Sequence, residues 1–217
     1  MDTRVLHKGE HFEHVYLNEP ANLHFVQEAG SSLKIHVINI SGLSGKSGLS
    51  GTNTITVEQV GPDCSTEIYA LAFLHGDESV ITETHVTHAV GGGTSEQLVK
   101  FVLDENARGR FVGDLKIAKD AQKVEAHQTN RNLLLSQTAQ MRTQPQLEIY
   151  ADDVKATHGA STGQLDETAL FYMQQRGIGK EKARQLLVGA FMKDVLVTIG
   201  DENLKEKLLN AVDGVVE

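Results

Sequence analysis

The chain has 217 residues and a formal net charge of −9, and it lacks the basic face or stripe of a nucleic-acid binder, so any electrostatic partner is expected to be basic. A single cysteine, Cys64, excludes an internal disulfide and suits a reducing compartment. The opening stretch MDTRVLHKGEHFEH lacks a secretory apolar run, and no segment nears the ~20 apolar residues of a membrane span, so a cytoplasmic location is expected.

His7, His11 and His14 fall at a spacing that would share one helical face, a candidate metal site. Residues 22–158 read mostly as strand, with apolar alternation at Ile35–Ile40, Ile55–Val57, Ile68–Phe73, Val80-Ile81, Leu98–Val102 and Phe111–Ile117. Residues 41–51, SGLSGKSGLSG, read as a flexible loop. Within it Gly45-Lys46-Ser47 resembles the end of a phosphate loop, but Ile40 stands where that motif requires glycine. Cys64 follows the turn signal Gly61-Pro62-Asp63. His85 and His88, three apart on a strand, point to opposite faces and cannot easily share one ion.

From Phe111 onward the apolar centres Leu115, Val124, Leu134, Met141, Ile149 and Val154 predict short strands. The corners between them fall at Lys119-Asp120, Thr129-Asn130, Gln144-Pro145 and Asp152-Asp153. A sandwich or a solenoid fits. Asp166 predicts an N-cap and Gly177 the residue after a helix end. Lys180–Ile199 carries apolar residues at helical spacing, and Asp201 caps a last helix. The domains are therefore a β core over 1–164 and a helical segment over 165–217.

The stretch from Pro145 to Ile178, PQLEIYADDVKATHGASTGQLDETALFYMQQRGI, resembles the signature block of the SufD family of iron–sulfur cluster assembly scaffolds. SEQLVKFVLDENARGRFVGDLKIAKDAQKVEAHQTNRNLLLSQTA upstream and KEKARQLLVGAFMKDVL downstream are similar to it as well. The resemblance implies a mainly β protein, a right-handed parallel β-helix followed by a small α-helical domain. It implies a non-enzymatic subunit that pairs with SufB and binds the SufC ATPase, with no tightly bound cofactor and a transient iron–sulfur cluster near the SufB interface. It places His158 at that interface as a candidate cluster ligand. Leu170, Phe171, Tyr172, Arg176 and Gly177 become candidates for the SufC contact, since a row such as Leu170-Phe171-Tyr172-Met173 cannot all face one core. SufD proteins often carry Cys-x-His where this chain has Ala156-Thr157-His158, so no thiolate is available there. Two other readings are a carbohydrate-active β-helix enzyme using acidic clusters and a SufD-like homodimer that binds only SufC.

Overall fold

The computed structural model describes residues 2–215. Their alternating apolar residues form twelve strands: β1 (Asp2–Leu6), β2 (His11–Leu17), β3 (Asn22–Gln27), β4 (Ser32–Ile40), β5 (Ser50–Gln59), β6 (Ser65–Leu74), β7 (Ser79–His88), β8 (Thr94–Leu103), β9 (Arg108–Ile117), β10 (Glu125–Leu134), β11 (Gln140–Ile149) and β12 (Lys155–Gly163). The odd strands make one six-stranded sheet and the even strands another, and neighbours within each are parallel. The chain thus winds as a two-sided parallel β-solenoid, each coil giving one strand to each sheet. Ser50 lies opposite Ser79, and Ser79 opposite Arg108.

Side chains facing inward from both sheets fill the coil with Phe25, Ile35, Ile55, Ile68, Val99, Phe101, Phe111 and Leu115, all buried. Each such burial contributes roughly 1.5–3 kcal/mol. The interior also holds amides. Asn130 and Asn132 bond to each other, at 2.7 and 3.0 Å, and Asn132 Nδ2 also donates to Ser161 O at 3.1 Å. Gly113 leaves the space that Gln128 fills, since a Cβ there would come within 2.6 Å of Gln128 Nε2.

Helices α1 (Glu167–Gln175), α2 (Lys180–Leu196) and α3 (Glu202–Val215) follow the solenoid. Asp166 Oδ1 accepts from Thr168 N at 2.8 Å, and Asp201 Oδ1 from Leu204 N at 3.0 Å, the caps expected of these residues. Gly177 ends α1 at φ 83°, a conformation that favours glycine. The helices cover the outer face of the even sheet, where Ile38, Ile40, Leu71, Phe73, Val102 and Leu133 meet Val188, Met192, Val195, Leu196, Leu208 and Val212. Strands β4, β6 and β8 are therefore buried on both faces at their C-terminal ends, which is why Ile38-Asn39-Ile40 and Leu71-Ala72-Phe73 stop alternating.

Four sequence expectations change. The segments after Phe111 are strands of nine or ten residues, and Met141 and Ile149 share one of them. Lys119-Asp120 and Asp152-Asp153 are corners, but Thr129-Asn130 and Gln144-Pro145 lie within β10 and β11. Asn130 is paired with Asn132 inside the coil, and proline is tolerated because β11 is an edge strand. His7, His11 and His14 lie on a turn and a strand, not a helix, and His7 and His11 bond Glu28 and Ser32 instead. The Gly/Ser stretch is held by the buried Glu78, whose carboxylate accepts from Ser41 Oγ, Gly48 N, Leu49 N and His75 N at 2.7–3.1 Å. Lys46 Nζ reaches Asn18 O at 3.1 Å, beside a single 3-10 turn that launches no helix.

Candidate functional site

The C-terminal end of the solenoid is open. Strands β11 and β12 are the last of their sheets, and each leaves one edge of backbone N–H and C=O groups unpaired within the described chain. His158 sits in the middle of β12, in register with Gln128. Gln128 is buried in the interior, so His158 occupies the same inner face one coil further on, where the absence of a next coil leaves it exposed. The sequence placed it just after a strand, but β12 continues to Gly163.

The inner column leading to His158 changes character along the axis. It runs Ile35, Ile68, Gln97, Gln128, His158, apolar at the start and polar at the open end. Gln128 Nε2 donates to Gln97 Oε1 at 3.4 Å, while Gln97 Nε2, Gln128 Oε1 and the Thr143 hydroxyl on β11 are buried without a partner. The outer face of β12 carries Gly159, Ser161 and Gly163, small residues that let a neighbouring backbone approach. Asp153 does not orient His158; it pairs with Lys123 at 2.9 Å.

No group of three or more His, Cys, Asp and Glu side chains among the described residues is placed to hold a metal ion. Ala156 lies in register with the buried Ala126 on the same inner face. Among the described residues, His158 therefore belongs to no ready-made metal-binding group.

The helical candidates separate by face. Leu170 is buried and anchors α1. Phe171 and Tyr172 are 61% and 58% exposed, and the Arg176 guanidinium lies 4.7 Å from the Tyr172 ring centre. Leu186, on α2, is also exposed. Aromatic rings stacked by arginine on an open helix face are typical of protein contacts.

The other candidates resolve as structural. His88 is buried and its Nε2 lies 2.9 Å from Ser95 Oγ, whereas His85 faces outward to Asp114 Oδ2 at 2.8 Å. The two histidines do point to opposite faces. Cys64 is buried, and its thiol sits 3.1 Å from Glu28 O and 3.2 Å from Gly61 O. A thiol donating to carbonyls in this way is held as a small corner residue.

Residues 5–191 match the family model described as SUF system FeS cluster assembly, SufBD core domain. The chain belongs to the SufD family of the SufB/SufD superfamily. It is 38% identical over 149 residues to the iron–sulfur cluster assembly protein SufD of Escherichia coli, covering 69% of this chain and 35% of that protein. It is 33% identical over 212 residues to an iron–sulfur cluster assembly SufBD family protein of Synechocystis, 91% of this chain and 46% of that one. It is 31% identical over 220 residues to the chloroplastic protein ABCI7 of Arabidopsis thaliana, 98% of this chain and 45% of that one. The chain thus spans less than half the length of these relatives. No helix among the described residues is long and apolar enough to cross a membrane.

In this SufD-family solenoid, His158 lies on the exposed last strand and Phe171 and Tyr172 on an open helix face. The sequence expectations did not include the polar column beneath His158. The signal was present in Gln97, Gln128, Asn130 and Asn132, polar residues at inward positions of otherwise alternating strands.

Proposed function

We propose that this chain acts as a non-catalytic scaffold subunit of the SUF system. Its open terminal coil pairs with SufB, and its helical segment binds the SufC ATPase. A nascent iron–sulfur cluster, the cargo, is held transiently between His158 and a thiolate on SufB. The carrying observation is His158 on the inner face of an edge strand, at the end of a polar column. An unpaired strand edge is a natural site for strand addition by a partner. A cluster shared by imidazole and thiolate ligands is chemically reasonable, and a single donor from this side favours release over storage. ATP use belongs to SufC, because Lys46 is occupied by a backbone carbonyl and no helix N-terminus follows it. A cytoplasmic location fits one buried, unpaired cysteine.

The test is His158→Ala in a complex reconstituted anaerobically with SufB and SufC. The variant is expected to fold and to keep both partners, since His158 is exposed, but to lose cluster-specific absorbance and bound iron. Normal cluster yield in that variant overturns the assignment. A parent chain that self-associates and binds SufC without SufB overturns the pairing and favours the homodimer instead.

A further inference from the structure

The outer face of the odd-numbered sheet carries a cationic patch that the mechanism does not use. Arg110 on β9 lies in register with Arg142 on β11, so the two guanidinium groups emerge side by side from the same face. Arg108, two residues before Arg110 on β9, points the same way. Adjacent strands set Arg110 and Arg142 ~4.8 Å apart at the backbone, and Arg108 and Arg110 are ~6.7 Å apart along the strand. Three of the seven arginines of a chain with net charge −9 are thus gathered in one place.

Like charges directly opposite on neighbouring strands are unfavourable unless something neutralises them. Among the described residues, no carboxylate lies within ion-pair distance of any of the three, while Arg4 and Arg184 do have partners, Glu10 and Asp104. Glu83, on the neighbouring β7, takes the Thr54 hydroxyl at 3.4 Å instead. Arg110 Nε is buried and has no hydrogen-bond partner. Only that nitrogen is closed off; the half-buried Arg110 and the exposed Arg108 and Arg142 keep unpaired charge whose natural complement is an oxyanion.

We infer that Arg108, Arg110 and Arg142 form a docking site for a short acidic segment of a protein partner, bound in extended conformation. Arg108 and Arg142 are exposed and Arg110 half-buried on one sheet face, which suits a row of carboxylates more than a single small anion. Alternate side chains of an extended peptide repeat at the same ~6.7 Å as Arg108 and Arg110. The net charge of −9 repels long polyanions such as nucleic acid, whereas a short acidic segment meets only the local positive field. The composition-level expectation of a basic partner does not hold at this face. The proposal is independent of the cluster chemistry at His158.

The experiment titrates the full chain into a fluorescein-labelled peptide with glutamate at alternate positions, followed by anisotropy. The parent is expected to bind, and to weaken as salt rises from ~50 to ~300 mM. Arg110→Gln/Arg142→Gln is expected to weaken binding at least ~10-fold, with Arg142→Gln alone showing part of the loss, and Arg131→Gln, on the other sheet, none. Thermal melting should stay level or rise in the double variant, because a like-charge pair has been relieved. Unchanged peptide affinity in Arg142→Gln and the double variant overturns the proposal. So does a lower melting temperature for both, which would make the arginines structural, or tighter binding of a single-stranded oligonucleotide than of the peptide.

Discussion

The Lys100 ammonium, on the outer face of β8, is capped by α2: its Nζ lies 2.8 Å from Phe191 O and 2.5 Å from Asp194 Oδ2. It also sits 4.3 Å from the centre of the Phe191 ring. The Lys100 side chain is 1% exposed, whereas that of Asp194 is 56% exposed. Burial pulls the lysine below its ordinary range, and the hydrogen bond and charge of Asp194 oppose that pull. The helical segment is thus joined to the solenoid by a buried cation as well as by the apolar contacts of Ile38, Leu71 and Val102.

Removing one partner of such a pair costs more than replacing the cation with an apolar side chain of similar size. Asp194→Ala should destabilise the chain by roughly 2 kcal/mol, below the range for fully buried pairs because Asp194 is partly solvated. Lys100→Met should cost less than that, since the methionine fills the same space under Phe191. Urea unfolding followed by circular dichroism measures both. A larger loss for Lys100→Met than for Asp194→Ala would show that the lysine does more than fill and pair.

Two buried histidines make the fold sensitive to acid. His36 Nε2 lies 2.8 Å from Thr198 Oγ1, and that hydroxyl donates to Val195 O at 2.7 Å. The hydroxyl has one proton, so the imidazole donates through Nε2, and its buried Nδ1 has no partner for a second proton. His88 Nδ1 is likewise buried and unpartnered. Burial lowers both pKa values from 6.5 to about 4. Below pH ~6.5 the unfolded chain takes up these two protons and the fold does not. Stability from this source is complete above that pH, falls as pH drops towards 4, and levels below it. The loss is roughly 3 kcal/mol per histidine at most. Urea midpoints between pH 7 and 4 should fall steeply in the parent and less steeply in His36→Gln. Equal slopes would remove His36 as a contributor.

What could be read from the sequence follows from how each strand is buried. Ile35–Ile40 and Ile68–Phe73 alternate at first because one face meets the interior, so those strands were legible. The coil repeat was not, because Gln128, Asn130 and Asn132 occupy inward positions where polar residues are not anticipated; the two asparagines bond each other, and Gln128 reaches Gln97 through its Nε2 alone. The caps at Asp166 and Asp201 were legible because capping is local. The covering of the even sheet by α2 was not, since it depends on contacts such as Lys100 with Asp194, 94 residues apart. His158 was reached only through the family resemblance: KATHGASTG has no apolar alternation, because most of β12 is exposed. Arg110 and Arg142 become neighbours only through the register of β9 and β11, which the sequence does not display.

The ATPase contact can be tested on α1. Deleting residues 166–217 would be an unsuitable test, because it strips α2 from Ile38, Ile40, Leu71, Phe73 and Val102 and exposes a large apolar face. Point changes on the open side of α1 avoid this. Phe171 is 61% exposed, and Tyr172, stacked with Arg176, is 58% exposed. If these rings form the centre of the SufC interface, Phe171→Asp should weaken binding by ~100-fold or more, the range of aromatic anchors in protein interfaces. Tyr172→Ala should act in the same direction, losing both the ring and the surface that orders Arg176. Neither change should alter stability by more than about 0.5 kcal/mol, because neither ring is buried in the chain itself. Leu170→Ala is the contrasting variant: it should cost about 2–3 kcal/mol of stability, since Leu170 is buried, and affect SufC only through the position of α1. Calorimetric titration of each variant with SufC, beside its unfolding curve, separates the two effects. Parent-like SufC affinity in Phe171→Asp and Tyr172→Ala would move the contact away from this face of α1.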